Sequence, residues 1–220
     1  MTKVNETRSK ILQSANKLFA NYGFDGTSIR DIAKEAGVNL AAVNYHFKNK
    51  NNLYCEIFDH NCCEFEKEFM NFIDSEDMKT EDFAVKAFSH FLDNGHSLLN
   101  TFKIILNDNV QIPEEHLSDE KGHFGPPGGG ALLSLITKEV GEEVSIDARF
   151  WAMNMIFTHI THKAIILSSS IVRQKACNLA HLSNDVQLRN IRFHCKAILN
   201  FIQTSPETNW DSTLFSDYTF

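Results

Sequence analysis

Apolar residues recur every three or four positions along most of this chain, and this spacing is the strongest constraint on its fold. A residue at every third or fourth position lies on one face of an α-helix. The first such face consists of Ile11, Ala15, Leu18 and Tyr22. Gly23 then predicts a helix end. We find no alternation typical of strands and no Asn-Gly hairpin, so we expect an all-α protein.

Two short helices joined by a tight turn are predicted after the first helix. Ser28 stands three residues before Asp31, which is the spacing of a capping box. Gly37 can adopt the positive φ that ends the second helix, and Asn39 can cap a third helix running to about Phe47. A turn this short makes the two helices cross steeply, which is the helix-turn-helix arrangement.

The third helix carries side chains suited to reading DNA. A helix presented by such a turn can enter the major groove, where amide side chains bond base edges and small apolar ones meet thymine methyl groups. Basic and polar aromatic side chains beyond them can contact phosphates, as can the start of the second helix. The predicted DNA contacts are Ser28, Asn39, Leu40, Ala41, Ala42, Asn44, Tyr45, His46, Lys48 and Lys50. Val43 and Phe47 are predicted to be core residues instead.

The charges are unevenly divided, in a way that favours a polyanion partner for the first part of the chain. Residues 1–54 carry eight basic and four acidic side chains, whereas the remaining residues carry 13 basic and 24 acidic ones. A small basic unit on a larger acidic body fits a nucleic acid contacted only by the basic unit. Random scatter of surface charge is the alternative.

The stretch from Ile11 to Tyr54, ILQSANKLFANYGFDGTSIRDIAKEAGVNLAAVNYHFKNKNNLY, resembles the DNA-binding domain of the TetR family of bacterial transcriptional regulators. The matching elements are A-x-x-L-F-A-x-x-G-F-x-x-T-S-I-R-D-I-A-x-x-A-G-V and Y-H-F-K-x-K-x-x-L. Asn44 departs from the pattern, since a hydrophobic or aromatic residue is commoner there. The resemblance covers about the first quarter of the chain. It implies an all-helical homodimer that binds an operator and a divergent C-terminal domain that binds a small inducer.

The rest of the chain predicts a larger helical domain. A long amphipathic helix follows Lys50 and reaches Phe72, and the segment Ser118–Gly130, rich in proline and glycine, predicts a loop. Two apolar stripes, Ile146–Ile171 and Leu188–Ile202, predict further long helices. We therefore expect a helix-turn-helix DNA-binding domain at 1–53, a helical ligand-binding and dimerisation domain at 54–205, and a loosely ordered tail at 206–220.

The apolar side chains of the second domain have two uses that the sequence leaves open. Some phenylalanines could fill the core or line an inducer pocket. The pocket candidates are Phe88, Phe91, Phe102 and Phe157. The two stripes could pack within one chain, or they could form a four-helix bundle with a second copy about a two-fold axis. A two-fold symmetric dimer also predicts a near-palindromic operator in double-stranded DNA. The candidates for this seam are Phe157, Ile160, Ala164, Leu167, Ile191, Cys195, Ile198 and Ile202, flanked by Trp151, Met155, Phe193 and Phe201.

Other classes of function find little support in the residues. The cysteines show no C-x-x-C spacing, and His159 and His162 have no acidic or cysteine partner at helical spacing, so we expect no metal. The absence of a nucleophile elbow, a phosphate loop and H-E-x-x-H predicts neither an enzyme nor a cofactor. Without an apolar signal segment or a membrane span, we expect a cytoplasmic protein. A DNA-binding architectural or division-control protein without an inducer is the alternative.

Overall fold

The structure is a computed structural model that describes residues 3–94, 110, 128–176 and 182–204. These residues form nine α-helices and no strand, which confirms the all-α prediction. The helices are α1 (Lys3–Tyr22), α2 (Ile29–Ala36), α3 (Leu40–Phe47), α4 (Lys50–Met70), α5 (Thr80–Asp93), α6 (Gly129–Val140), α7 (Ile146–Ser168), α8 (Ser170–Ala176) and α9 (Asn184–Thr204). No helix in these ranges has the length and apolar character needed to cross a membrane.

The helix ends of the first domain lie where the sequence predicts them. Gly23 and Gly37 have φ of 73° and 65°, a region that glycine enters without steric cost, and they follow the last residues of α1 and α2. Ser28 and Asp31 form the capping box of α2. Asn39 caps α3, because its Oδ1 accepts a hydrogen bond from the backbone N–H of Ala42 at 2.7 Å.

One compact unit is built from α1, α2, α3 and the first turns of α4. Its core consists of Ile11, Leu12, Ala15, Phe19, Phe24, Ile32, Ala33, Val43, Phe47, Leu53, Tyr54 and Ile57. The compact units of the chain divide between Cys63 and Glu64, within α4. The boundary expected at residue 53 falls inside this first core, because the apolar face of α4 continues into it through Tyr54 and Ile57.

A second compact unit contains the end of α4 and the helices that follow it. Helices α5, α6, α7 and α9 pack against one another. On α7 the buried face repeats every four residues as Ala148, Ala152, Ile156, Ile160 and Ala164. On α9 it consists of Gln187, Ile191, Cys195, Ile198, Leu199 and Ile202. Alanines on this face of α7 let neighbouring helices lie closer to it, because the distance between packed helices depends on the side chains at the contact.

Two helices of this second unit are capped by carboxylates from other helices. The backbone N–H of Gly128, which precedes α6, donates to Oε2 of Glu66 at 2.9 Å. The backbone N–H of Thr80, the first residue of α5, donates to Oε2 of Glu139 at 3.0 Å. Each carboxylate satisfies an N–H that the helix itself cannot pair, and it places a negative charge at the positive end of the helix dipole.

Three boundaries differ from the predicted ones. Helix α4 ends at Met70, so Phe72 lies beyond it. The ring of Phe72 still packs against that of Phe69, with centroids 5.3 Å apart, which explains why its position in the sequence fits the apolar spacing of the helix. Helix α6 begins at Gly129, because Glu66 holds its N-terminus, so the last two glycines of the predicted loop are helical. The stripe that starts at Ile146 is divided by the extended backbone of Ser169. The predicted loop before Gly128 and the predicted tail at 206–220 lie outside the described residues.

Candidate nucleic-acid interface

Helix α3 is held to the first unit by its buried face and presents the opposite face to solvent. Val43 and Phe47 are each 1% exposed, which confirms that they are core residues. The guanidinium carbon of Arg8 lies 5.2 Å from the centre of the Phe47 ring, and the same guanidinium pairs with the Glu56 carboxylate. Contacts from α1 and α4 therefore fix the buried face of α3, so its outer face is presented at a defined angle.

The outer face of α3 carries most of the predicted DNA contacts. Exposed positions are Ser28, Asn39, Leu40, Ala41, Asn44, Tyr45 and Lys48, and partly exposed ones are Ala42, His46 and Lys50. Tyr45 is 79% exposed, and its ring lies edge-on to that of His46, with centroids 5.3 Å apart. A largely exposed aromatic side chain beside exposed amide and small apolar residues gives this helix both polar and apolar groups for base edges.

The start of α2 is already occupied by a carboxylate. Oδ2 of Asp31 accepts hydrogen bonds from the hydroxyl of Ser28 at 2.5 Å and from its backbone N–H at 3.0 Å. The pKa of Asp31 is lowered, first by the hydroxyl bond and then by the backbone bond, so the carboxylate is ionised at neutral pH. A phosphate bound at Ser28 would have to approach this negative charge.

Lys50 lies at the first position of α4 and is held by an aromatic ring. Its Nζ lies 4.0 Å from the centre of the Phe24 ring, and burial lowers the pKa of Lys50 below its usual range. The Phe24 ring contacts those of Phe19 and Tyr54, at centroid distances of 5.9 and 5.1 Å. The ammonium group is therefore positioned by a cation–π contact at the point where α3 gives way to α4.

The structure also shows two exposed cations that the list of predicted contacts omits. Lys10 and Lys17 of α1 are paired with Glu6 and Glu35, which reduces the positive charge that α1 offers. Arg30 and Lys34 instead lie exposed on α2. The excess of basic residues in the first part of the chain indicated that such exposed cations exist. It does not show which cations are paired with carboxylates.

The predicted pocket residues lie inside a cluster of aromatic rings. Phe88 and Phe91 are 0% and 1% exposed, and Phe157 is 9% exposed. The Phe91 ring lies 5.3 Å from the Phe69 ring and 6.3 Å from the Phe157 ring. Phe102 lies outside the described residues. The three described side chains therefore pack as core, and their part in a ligand site stays a prediction.

Most of the predicted seam residues are buried within the single chain. Ile160, Ala164, Ile191, Cys195, Ile198 and Ile202 are at most 7% exposed, whereas Leu167 is partly exposed. The same two helices, α7 and α9, display other apolar side chains on their surface. These are Met155, Ile166, Phe193 and Phe201, exposed by 41%, 43%, 76% and 41%. The ring of Trp151 packs 5.7 Å from that of Phe201, so at least these two aromatic side chains of α7 and α9 lie side by side.

His159, one of the two histidines considered for a metal site, instead stacks on a histidine of α9. The rings of His159 and His194 lie 3.9 Å apart at an angle of 15°. Nε2 of each ring is buried and has no hydrogen-bond partner among the described residues. Burial, followed by the charges of His194, Lys163 and His162, lowers the pKa of His159 to about 4. No group of three metal-binding side chains occurs in the described part of the chain.

Comparison with known proteins gives matches to the first unit. Residues 11–57 match the model described as bacterial regulatory proteins of the tetR family. A stretch of 47 residues, which is 21% of this chain and 23% of its relative, is 53% identical to the probable HTH-type transcriptional regulator YttP of Bacillus subtilis. A stretch of 57 residues, which is 26% of each chain, is 44% identical to the HTH-type transcriptional regulator AcrR of Shigella flexneri. These matches span about a quarter of the length of each relative.

The fold over most of the chain is similar to that of solved structures. A putative TetR-family transcriptional regulator from Mesorhizobium loti superposes with a TM-score of 0.62 at 20% identity, over 91% of this chain and 98% of the other. At this identity the similarity establishes a shared fold. The fold therefore extends beyond the part of the chain in which the sequence similarity is found.

Proposed function

We propose that the chain belongs to the TetR family by its N-terminal helix-turn-helix domain and that it is a transcriptional regulator that binds a DNA operator and responds to a small molecule. Release from the operator on binding that molecule would make it a repressor. The observation that carries the proposal is helix α3, whose buried face is fixed by Val43 and Phe47 while Asn44 and Tyr45 face solvent. An anchored helix with an exposed polar and aromatic face is what major-groove reading needs.

We further propose that the first compact unit, rather than residues 1–53 alone, binds DNA and that the second unit binds the small molecule and a second copy of the chain. Helix α4 contributes residues to both compact units, so it is the candidate for carrying the signal of ligand binding. A ligand can change operator affinity only by its different affinities for the two conformations of the protein. An architectural DNA-binding protein would instead show an operator affinity that no bound compound changes.

Selection of bound sequences from random double-stranded DNA tests the proposal directly. A regulator of this kind should enrich a near-palindromic sequence whose half-sites follow the two-fold symmetry of a dimer. If the selected pool shows no sequence preference at moderate salt, the chain does not act as an operator-binding regulator.

Replacing Asn44 with alanine should relax the base preference at one position of each half-site. A bidentate amide contact contributes about 1 to 3 kcal/mol of discrimination between bases, and the exposed side chain of Asn44 is placed to make one. The measurement is the same selection, followed by binding to operators changed one base pair at a time. Asn154→Ala, an exposed change on α7, is the matched control and should leave the selected sequence unaltered. An unchanged preference in the Asn44 variant would reassign Asn44 to a phosphate contact.

A charge at Phe193 should separate the proposed dimer. The side chain is 76% exposed in the single chain, so glutamate there leaves the fold intact but puts a carboxylate into the apolar subunit contact. We expect Phe193→Glu to sediment as a monomer at micromolar concentration and to lose at least about tenfold in operator affinity, since two half-sites are no longer bound together. Ile171→Glu, at a residue of α8 that is 65% exposed, should remain dimeric. A buried seam position such as Ile198 cannot be used, because a charge there would disrupt the core.

A further inference from the structure

Lys48 connects α3 to α4 through a strained turn. Its φ of 61° and ψ of −57° are those of a γ-turn of the rare, strained kind, and it is the one residue other than glycine with positive φ in the described ranges. The backbone N–H of Asn49 closes the turn on the carbonyl oxygen of Phe47 at 2.6 Å. The N–H of Lys48 also donates to the carbonyl oxygen of Asn44 at 2.9 Å, which completes the last turn of α3.

Contacts on both sides hold this turn in place. Before it, Phe47 is buried and lies beside the guanidinium of Arg8. After it, Oδ1 of Asn49 caps α4 by accepting a hydrogen bond from the N–H of Asn52 at 2.8 Å. A side chain in such a backbone conformation destabilises the fold relative to glycine, and the conformation persists only where its surroundings determine it. The sequence nevertheless places a lysine at this position.

We propose that Lys48 is a positioning residue for DNA binding, whose strained turn fixes the end of α3 against the start of α4. This inference rests on the proposed function. Helix α3 has only eight residues, so freedom at its C-terminal end would reach the side chains that face DNA. Glycine at this position would open many more backbone conformations to the turn, and their loss on binding DNA would reduce affinity. The β-carbon of Lys48 excludes those conformations, separately from any attraction between its ammonium group and phosphate.

Alanine and glycine at this position separate the two effects. Lys48→Ala removes the charge but keeps the β-carbon and with it the restricted turn, whereas Lys48→Gly removes both. Lys48→Arg keeps both and serves as the conservative control. The full-length variants are compared by thermal unfolding and by binding to the selected operator across a series of salt concentrations.

We expect Lys48→Gly to unfold about 2 to 4 °C above Lys48→Ala, since the strain is relieved. It should nevertheless bind the operator roughly threefold or more weakly than Lys48→Ala, because the turn is no longer restricted. If the ammonium contacts a phosphate, both variants lower the salt slope by about one, so the slope does not separate them. Lys48→Arg should bind like the unaltered protein.

Each alternative outcome has a distinct meaning. Equal operator affinities for Lys48→Gly and Lys48→Ala, or tighter binding by Lys48→Gly, would overturn the positioning role while leaving operator binding itself intact. Loss of affinity in Lys48→Arg equal to that in Lys48→Gly would also overturn it, because arginine keeps the β-carbon and the charge. If the unaltered protein selects no DNA sequence, both the proposed function and this inference fail.

Discussion

Gly128→Ala is expected to lower the free energy of unfolding by roughly 2 to 5 kcal/mol, which is the largest effect of a single substitution that we predict. A β-carbon at this position would lie 1.6 Å from Cδ2 of Phe69, a ring that is 1% exposed and packed among other aromatic rings. The backbone also has a φ of 84°, a conformation that alanine adopts only with strain. The N–H that bonds Glu66 would be displaced together with the backbone. Denaturant unfolding followed by circular dichroism measures the change.

Gly130→Ala is the matched control, two residues further along. A β-carbon there would lie 2.7 Å from Oε1 of Glu66, so the end of this flexible side chain would have to shift and would weaken its bond to the Gly128 amide, and Gly130 is already helical. Alanine is favoured over glycine inside a helix by about 1 kcal/mol, so this variant should be close to neutral. If both variants unfold at the same denaturant concentration as the unaltered protein, the close approach of Gly128 to Phe69 is not present in solution.

Stability is expected to fall as the pH is lowered from about 6.5 to about 4, because of the stacked imidazoles of His159 and His194. The pKa of His159 is lowered to about 4, chiefly by burial. The pKa of His194 is lowered by burial and by the charge of Lys163, and a hydrogen bond with the backbone of Met155 partly opposes this lowering. The unfolded chain takes up these protons near pH 6.5, so between the two pKa values it binds more protons than the folded chain. Both side chains are partly exposed, so we expect a loss of only about 1 to 3 kcal/mol.

The acid effect can be separated from that of other groups by substitution. Denaturant unfolding between pH 4.5 and 7.5 gives the stability difference, and His159→Asn should flatten it. His60→Asn, at an exposed histidine of α4, should leave the pH dependence as it is. The pKa values of Asp31 and Asp74 are also lowered in the folded chain. The stability that these carboxylates contribute is lost only at pH values below this window, as the pH falls toward their lowered pKa values. A stability that is constant from pH 7.5 to 4.5 would contradict the burial of the neutral pair.

The boundaries of α2 and α3 could be predicted almost to the residue, because they are encoded by nearby side chains. Ser28, Asp31 and Asn39 each bond a backbone N–H within three residues, and Gly37 supplies a positive φ by itself. Such signals act within one turn of helix and can be recognised without knowledge of the rest of the fold. The face of α3 followed from the same local pattern, since Val43 and Phe47 are four residues apart and both are buried.

The second domain could be predicted only as a set of helices, because its details depend on residues far apart in the chain. The apolar spacing found α7 and α9, but it could not show whether the stripe with Ile191 and Ile198 packs within one chain or against a second copy. Both residues are buried in the single chain, while Phe193 is exposed. The first residue of α6 depends on Glu66, which no local pattern around Gly129 reveals. The stack of His159 on His194 brings together two helices whose order in space the sequence does not give.

The carboxylate caps also have a consequence for the order in which the chain matures during synthesis. Glu139 leaves the ribosome 59 residues after Thr80, and the Gly128 amide emerges 62 residues after Glu66. Until then the Thr80 amide at the start of α5 can bond only water, and Glu66 has no helix end to bind. Helix α5 can begin to form as it emerges, but its N-terminus becomes fully ordered only when α6 has been made and has docked.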